Sequence, residues 1–171
     1  VVTGVLIAIA VAAGISLYLA KARNKLETSS NLLFNARQDN DLMTVINDHP
    51  SSPSAPLAML RLARIYYDAG KYDEALDVYG DFEAKHPEHP FAAAALVGRA
   101  HCLEARNQLN EAIALFQSFE SAKPNHFLTP QATLARARCL EKLDRIPEAK
   151  IVIEDFMAAS ADSGWLPIAE Q

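Results

Sequence analysis

The sequence predicts an all-α chain, a single N-terminal transmembrane helix followed by an α-solenoid of helical hairpins with a period of 37 residues. Three observations carry that prediction. Residues 1–20 hold no ionisable group except Tyr18, a set of landmarks recurs at constant spacing through the rest of the chain, and the composition is rich in alanine but only 8% aromatic. Alanine-rich, aromatic-poor sequence suits close-packed helices better than sheets.

The first element is VVTGVLIAIAVAAGISLYLA (1–20). As a helix it would reach about 30 Å, the thickness of a bilayer core. It is longer than the apolar part of a signal peptide, although Ala20-Lys21-Ala22 imitates a cleavage site. Lys21, Arg23 and Lys25 follow at once, so residues 1–23 read as a retained span with a basic flank. That flank alone would hold the following domain in the cytoplasm. The chain opens at Val1 and not at methionine, so further residues are expected upstream, and a more basic segment there would reverse the topology. Within the span Gly4, Ala8, Ala12, Ser16 and Ala20 recur every four residues, which keeps small side chains near one face. Helices associate in lipid through close packing, so this stripe is expected to meet a transmembrane helix of another subunit. The plainer reading is that alanine and glycine are simply common in spans.

Beyond the flank, three segments align without gaps: LARIYYDAGKYDEALDVYGDF (62–82), RAHCLEARNQLNEAIALFQSF (99–119) and RARCLEKLDRIPEAKIVIEDF (136–156). Ala63, Ala100 and Ala137 are 37 apart, as are Glu74-Ala75, Glu111-Ala112 and Glu148-Ala149, and Phe82, Phe119 and Phe156. Each unit reads as two helices. The first has apolar residues at helical spacing (Leu62, Ile65, Tyr66), and a polar break containing Gly70, Asn107 or Asp144 follows. Gly70 suits a helix C-terminus. The second helix opens with acidic residues such as Asp73-Glu74 and stops near His86-Pro87 or Lys123-Pro124. The expected domains are the span and flank (1–23), a degenerate first hairpin (24–55, helices near 24–36 and 39–48) ending at His49-Pro50, and repeats over 56–171. The repeat units are 56–92, 93–129 and 130–166, with hairpins near 56–87, 93–124 and 130–160 and a further unit beginning at 167.

Leu62-Ala63, Tyr66, Gly70, Tyr72, Glu74-Ala75, Tyr79, Phe82 and Pro87 closely resemble the tetratricopeptide consensus. The later units depart from it. Arg99 and Arg136 stand where leucine is usual, Leu103 and Leu140 replace the tyrosine, and Pro147 opens the third unit's second helix, where an early-helix proline is tolerated. The order of elements, one span leading into a degenerate hairpin and a short repeat array with Ser163-Gly164-Trp165 after it, resembles the YfgM-like family. That family comprises membrane-anchored ancillary subunits of the bacterial Sec translocon. The resemblance implies an open solenoid in the bacterial inner membrane, with its repeats on the periplasmic side and other proteins as partners.

Chemistry-bearing patterns are sparse. Cys102 and Cys139 are one period apart, and equivalent positions in stacked helices lie roughly 8–10 Å apart, beyond the roughly 7 Å Cα reach of a disulfide. His101 adjoins Cys102, but neighbouring helix residues do not face each other. His86 and His89 straddle a helix end, and no further ligand completes a metal set. There is no glycine-rich phosphate loop, G-x-S-x-G or H-E-x-x-H. No catalytic residue, metal, cofactor or small-molecule substrate is therefore expected. A net charge of −5 with intermixed signs excludes a phosphate-binding stripe and hence nucleic acid.

Surface remains. In the tetratricopeptide superfamily the first helix of each unit lines a concave groove. Matched position by position, this implies a protein- or peptide-binding groove of Leu60, Arg64 and Tyr67, then Val97, His101 and Glu104, then Leu134, Arg138 and Glu141. The mixture of apolar, aromatic and charged groups suits a peptide, although charged residues there would also serve solubility. Some members grip a carboxylate terminus with lysine and asparagine, but Leu60 and Arg64 occupy those positions here, so that activity is not carried over.

The expected function is a non-catalytic, membrane-anchored adaptor that meets protein subunits through both its span and its solenoid. A chaperone-like binder of unfolded or translocating polypeptides is the alternative, and the basic flank alone points to a third, a scaffold on the cytoplasmic face. Replacing Ala8 and Ala12 by leucine should leave the protein in the membrane yet release it from its complex in gentle detergent. Undiminished co-purification of the same partners would make the span an anchor only.

Overall fold

The computed structural model describes residues 2–159, with side chains described from Val11 onward. Eight α-helices run through them, and no strand occurs among the described residues. The chain divides into two compact units, residues 1–62 and 63–171, with α3 (Ser54–Asp68) running through the boundary.

The first unit holds α1 (Val2–Asn35), α2 (Asp39–Asp48) and the beginning of α3. α1 is one uninterrupted helix of 34 residues. The boundary expected between residues 23 and 24 is not marked by any break, because no glycine or proline lies between Ile15 and Asn35 to stop the helix. At its end Arg61 donates to the carbonyls of Ala36 (3.0 Å) and Leu33 (3.3 Å), satisfying acceptors that a helix terminus leaves open. The Asp41 carboxylate accepts from the N–H groups of Arg37 (2.8 Å) and Gln38 (3.1 Å) and so starts α2. Leu42 and Val45 face inward, at 1% and 0% exposure. Residues 11–20 are exposed throughout, among them Val11, Ile15, Leu17 and Leu19. Among the residues described to their side chains, no helix is long and apolar enough to cross a membrane. Val1 to Ala10, the first half of the expected span, lie outside them, and with them Gly4 and Ala8 of the expected packing face. Residues 160–171, where a further unit is expected to begin, also lie outside the described residues.

The second unit contains α4 (Tyr72–Lys85), α5 (Ala92–Ala105), α6 (Leu109–Ala122), α7 (Thr129–Lys142) and α8 (Ile146–Ala159). Each packs on the next, and α5 also meets α7, the first helix of the following hairpin. The reversals between paired helices share one device. Gly70, Asn107 and Asp144, spaced at the period, take left-handed backbone with φ of 74°, 61° and 58°. Each donates its N–H to the carbonyl three residues back, and the next N–H reaches five back: Lys71 to Tyr66 (2.9 Å), Gln108 to Leu103 (2.9 Å) and Arg145 to Leu140 (3.0 Å). This bond pair closes a helix C-terminus, and Asn and Asp are the side chains that best tolerate the conformation glycine adopts freely.

The core repeats too. Ala100, Ala112, Ala137 and Ala149 let backbones approach, while Phe116 and Phe119, at 0% and 2% exposure, fill the space between helices. Cys102 and Cys139 are buried free thiols, and burial pushes each up to about 11. They are protonated at neutral pH and behave as small apolar groups.

The departures from the repeat consensus acquire a reason here. Arg99 pairs with Glu83 at 3.1 Å, and Arg136 forks onto Glu120 through Nε (3.0 Å) and a terminal nitrogen (2.8 Å). Both pairs join the second helix of one hairpin to the first helix of the next, at positions 37 apart. One period earlier the same two positions are Ile46 and Leu62. The two positions are thus apolar in the first repeat and oppositely charged in the next two.

Candidate protein-binding groove

The first helices of the second unit's hairpins present one face to a common hollow. Gln131, Leu134 and Arg138 follow helical spacing on α7, as Gly98 and His101 do on α5, so each set shares one side of its helix. Together with Arg64 and Tyr67 at the end of α3 and Tyr79 of α4, they enclose about 460 Å³.

Tyr79 packs directly over Gly98 in the groove. A Cβ at residue 98 would stand 2.7 Å from the Tyr79 hydroxyl and 2.8 Å from a ring carbon, so only glycine lets the tyrosine cross α5. At the equivalent positions one period on, Phe116 lacks that hydroxyl and Ala135 carries a methyl group. Burial pushes the Tyr79 phenol up to about 12, which leaves it a neutral hydrogen-bonding group.

Beneath the groove lies a carboxylate. Glu104 is 8% exposed and binds Arg138 through two 2.7 Å bonds, Lys142 at 2.8 Å and His101 at 3.5 Å. Burial alone would raise its carboxyl. The hydrogen bonds from Arg138, His101 and Lys142 outweigh burial and hold it well below the usual carboxylate range. Arg138 and Lys142 are about half exposed, so one buried anion anchors two cations at the surface. His101 Nε2 lies 3.2 Å from the Gln131 amide nitrogen while Nδ1 faces the Glu104 carboxylate, so the ring bridges α5's carboxylate and α7. Its ring also meets Phe116 edge-on, 5.1 Å between centroids. At the other end Arg64 binds Asp68 (2.8 Å) and lies 5.9 Å from the Tyr67 ring.

Of the residues expected in the groove, Arg64, Tyr67, His101, Leu134 and Arg138 line this hollow. Val97 does not: at 4% exposure it is packed in the core, one position out of phase with Gly98. Glu104 lies below the surface as the anchor of Arg138, and Glu141, one period on, is exposed without lining the hollow. Leu60 belongs to the first unit. Tyr79, Gly98 and Gln131 were missed. The glycine opposite a tyrosine, where one period on Ala135 stands opposite Phe116, was the available signal for the first two. Among the described residues, no group of three or more His, Cys, Asp or Glu side chains could hold a metal ion.

Hairpins that repeat every 37 residues, pack in sequence and line a groove with their first helices form an α-solenoid. The family described as Tetratricopeptide repeat matches residues 60–127. Solved structures share the fold. Nearly identical TPR-like repeats from Podosopora anserina, ascribed to a kinesin light chain, align with a TM-score of 0.62 at 21% identity, covering 83% of this chain and 76% of that one. A substituted form of the same repeats gives 0.63 at 20%, covering 84% and 76%. A tetratricopeptide repeat protein from Parabacteroides merdae gives 0.65 at 18%, covering 86% of this chain and 57% of that one. No curated protein matches.

The Glu104 anchor sets a pH dependence. Its folded carboxyl is depressed, so its contribution is complete above the unfolded value of about 4.3 and is lost as pH falls through and below it. Glu104→Gln should cost about 1–3 kcal/mol at pH 7, less than a fully buried pair because both main partners can be hydrated. The loss should shrink between about pH 5 and pH 3, as denaturant titration of both proteins would show. A constant difference across that range would remove Glu104 as the anchor.

Proposed function

We propose that this protein is a non-catalytic, membrane-anchored scaffold whose second unit holds a segment of another protein in the groove of Arg64, Tyr67, His101, Leu134 and Arg138. One observation carries the reading. The groove offers aromatic, apolar and cationic groups side by side, its glycine and tyrosine are fitted to each other, and its arginine is set by a buried counterion. Interfaces are built from such fixed aromatic and arginine anchors. Among the described residues the two thiols are buried and protonated, so neither offers a nucleophile to the groove.

The apolar run of residues 1–20, exposed wherever its side chains are described, supports the anchor. The resemblance to the YfgM-like family supports a place beside the protein translocon, in the inner membrane with the repeats in the periplasm. The small-residue face of the span would hold the scaffold against its neighbour there.

A photoreactive residue at Leu134, activated in intact membranes, should give one discrete protein adduct, and the same residue at exposed Glu111 on α6 should not. A ladder of many adducts from Leu134 would favour the client-binding alternative. Equal labelling at both positions, or none at either, would contradict the groove.

A further inference from the structure

We infer that the groove selects its partner by one acidic side chain within a protein segment, whose carboxylate accepts a hydrogen bond from the Tyr79 hydroxyl. The inference rests on the scaffold reading and adds to it the residue that reads the partner and the chemistry that is read.

Tyr79 is 7% exposed and lines the hollow, yet its hydroxyl has no hydrogen-bond partner among the described residues. Polar groups buried to that degree are ordinarily bonded. Packing does not call for the hydroxyl. The same stacked position is Leu42 one period earlier, Phe116 one period on and Ile153 two periods on. Phe116 fills its place completely buried and wholly apolar. The tyrosine also requires Gly98, because any side chain there would meet its ring and hydroxyl. Glycine inside a helix weakens the helix. A polar atom that stacking does not need, kept beside a mid-helix glycine and left without a partner, is available to a ligand.

The kind of ligand follows from the surrounding charge. Burial pushes the Tyr79 phenol up to about 12, so at neutral pH it keeps its proton and can donate. Arg64 and Arg138 share the hollow with it, and no carboxylate lines the hollow. Around it three cations, Arg64, Arg138 and Lys142, stand against two carboxylates, Asp68 and Glu104, which leaves one positive charge unmatched. A backbone carbonyl would satisfy the phenol but not that charge. A carboxylate satisfies both, and hydrogen bonds to an ionised acceptor are the stronger kind. Leu134 and Tyr67, whose ring Tyr72 holds edge-on at 5.4 Å, offer apolar surface beside it. The matching segment therefore carries an aspartate or glutamate next to an apolar residue.

The probe is a library of random peptides, displayed on phage through their C-termini so that side chains supply the only peptide carboxylates, and panned on the full chain in detergent. Recovered peptides should share an acidic residue beside an apolar one and should be labelled by a photoreactive residue at Leu134. Terminally amidated synthetic copies are then compared by fluorescence anisotropy. Replacing the acid by its amide should raise Kd about tenfold or more. Tyr79→Phe should raise Kd for the acidic peptide and shrink its preference over the amide, since both changes remove one hydrogen bond. Tyr79→Phe should also leave the unfolding midpoint unchanged or higher, because the hydroxyl has no partner to leave behind. Peptides labelled from Leu134 that lack an acid, acid and amide bound alike, losses that simply add, or a Tyr79→Phe chain that fails to fold would each overturn the inference and leave the scaffold reading standing. If no recovered peptide is labelled from Leu134, both fall together.

Discussion

A hairpin of two fourteen-residue amphipathic helices cannot bury both of its apolar faces within itself, and the rest of this structure depends on that constraint. Each hairpin of the second unit must cover its neighbour, so every feature serving the contact recurs with the period. Phenylalanines fill the layer between helices, alanines let backbones close on each other, and a left-handed residue turns the chain back at 70, 107 and 144. The groove is a by-product of the same stacking. Because α5 and α7 touch, residues at one helical phase on successive first helices converge on one hollow.

Charge works within that stack in two ways. Arg99–Glu83 and Arg136–Glu120 tie neighbouring hairpins together from positions where the consensus has leucine. Glu104 reaches from α5 to α7 and fixes the arginine that borders the groove. Both arrangements are partly buried, where removing one partner costs more than the intact pair contributes. They therefore specify which hairpin faces which more than they stabilise either one.

Much of the fold was legible in the sequence because the period repeats three times. The expected hairpins near 56–87, 93–124 and 130–160 correspond to helix pairs spanning 54–85, 92–122 and 129–159. Five of the nine groove positions line the observed hollow. What was not legible depends on local phase and on partners distant in the chain. Val97 and Gly98 are adjacent, and only the packing decides which of them faces inward. Glu104 reads as a surface carboxylate until Arg138 and Lys142, a full period away, are placed beside it. Arg99 and Arg136 looked like lapses from the consensus. Their partners 16 residues upstream, Glu83 and Glu120, change in step with them, and Ile46 and Leu62 in the first unit change back together.

That internal substitution offers the most direct measurement of the central claim, that period-matched contacts between hairpins hold the stack in register. Glu120→Ile and Arg136→Leu should each destabilise the chain by about 2–4 kcal/mol in denaturant unfolding, since each leaves an unpaired charge largely buried. The double variant reproduces the chemistry of Ile46 and Leu62 and should recover most of the loss. Losses that simply add in the double variant would contradict the account, because the two positions would then not face each other across the hairpin junction.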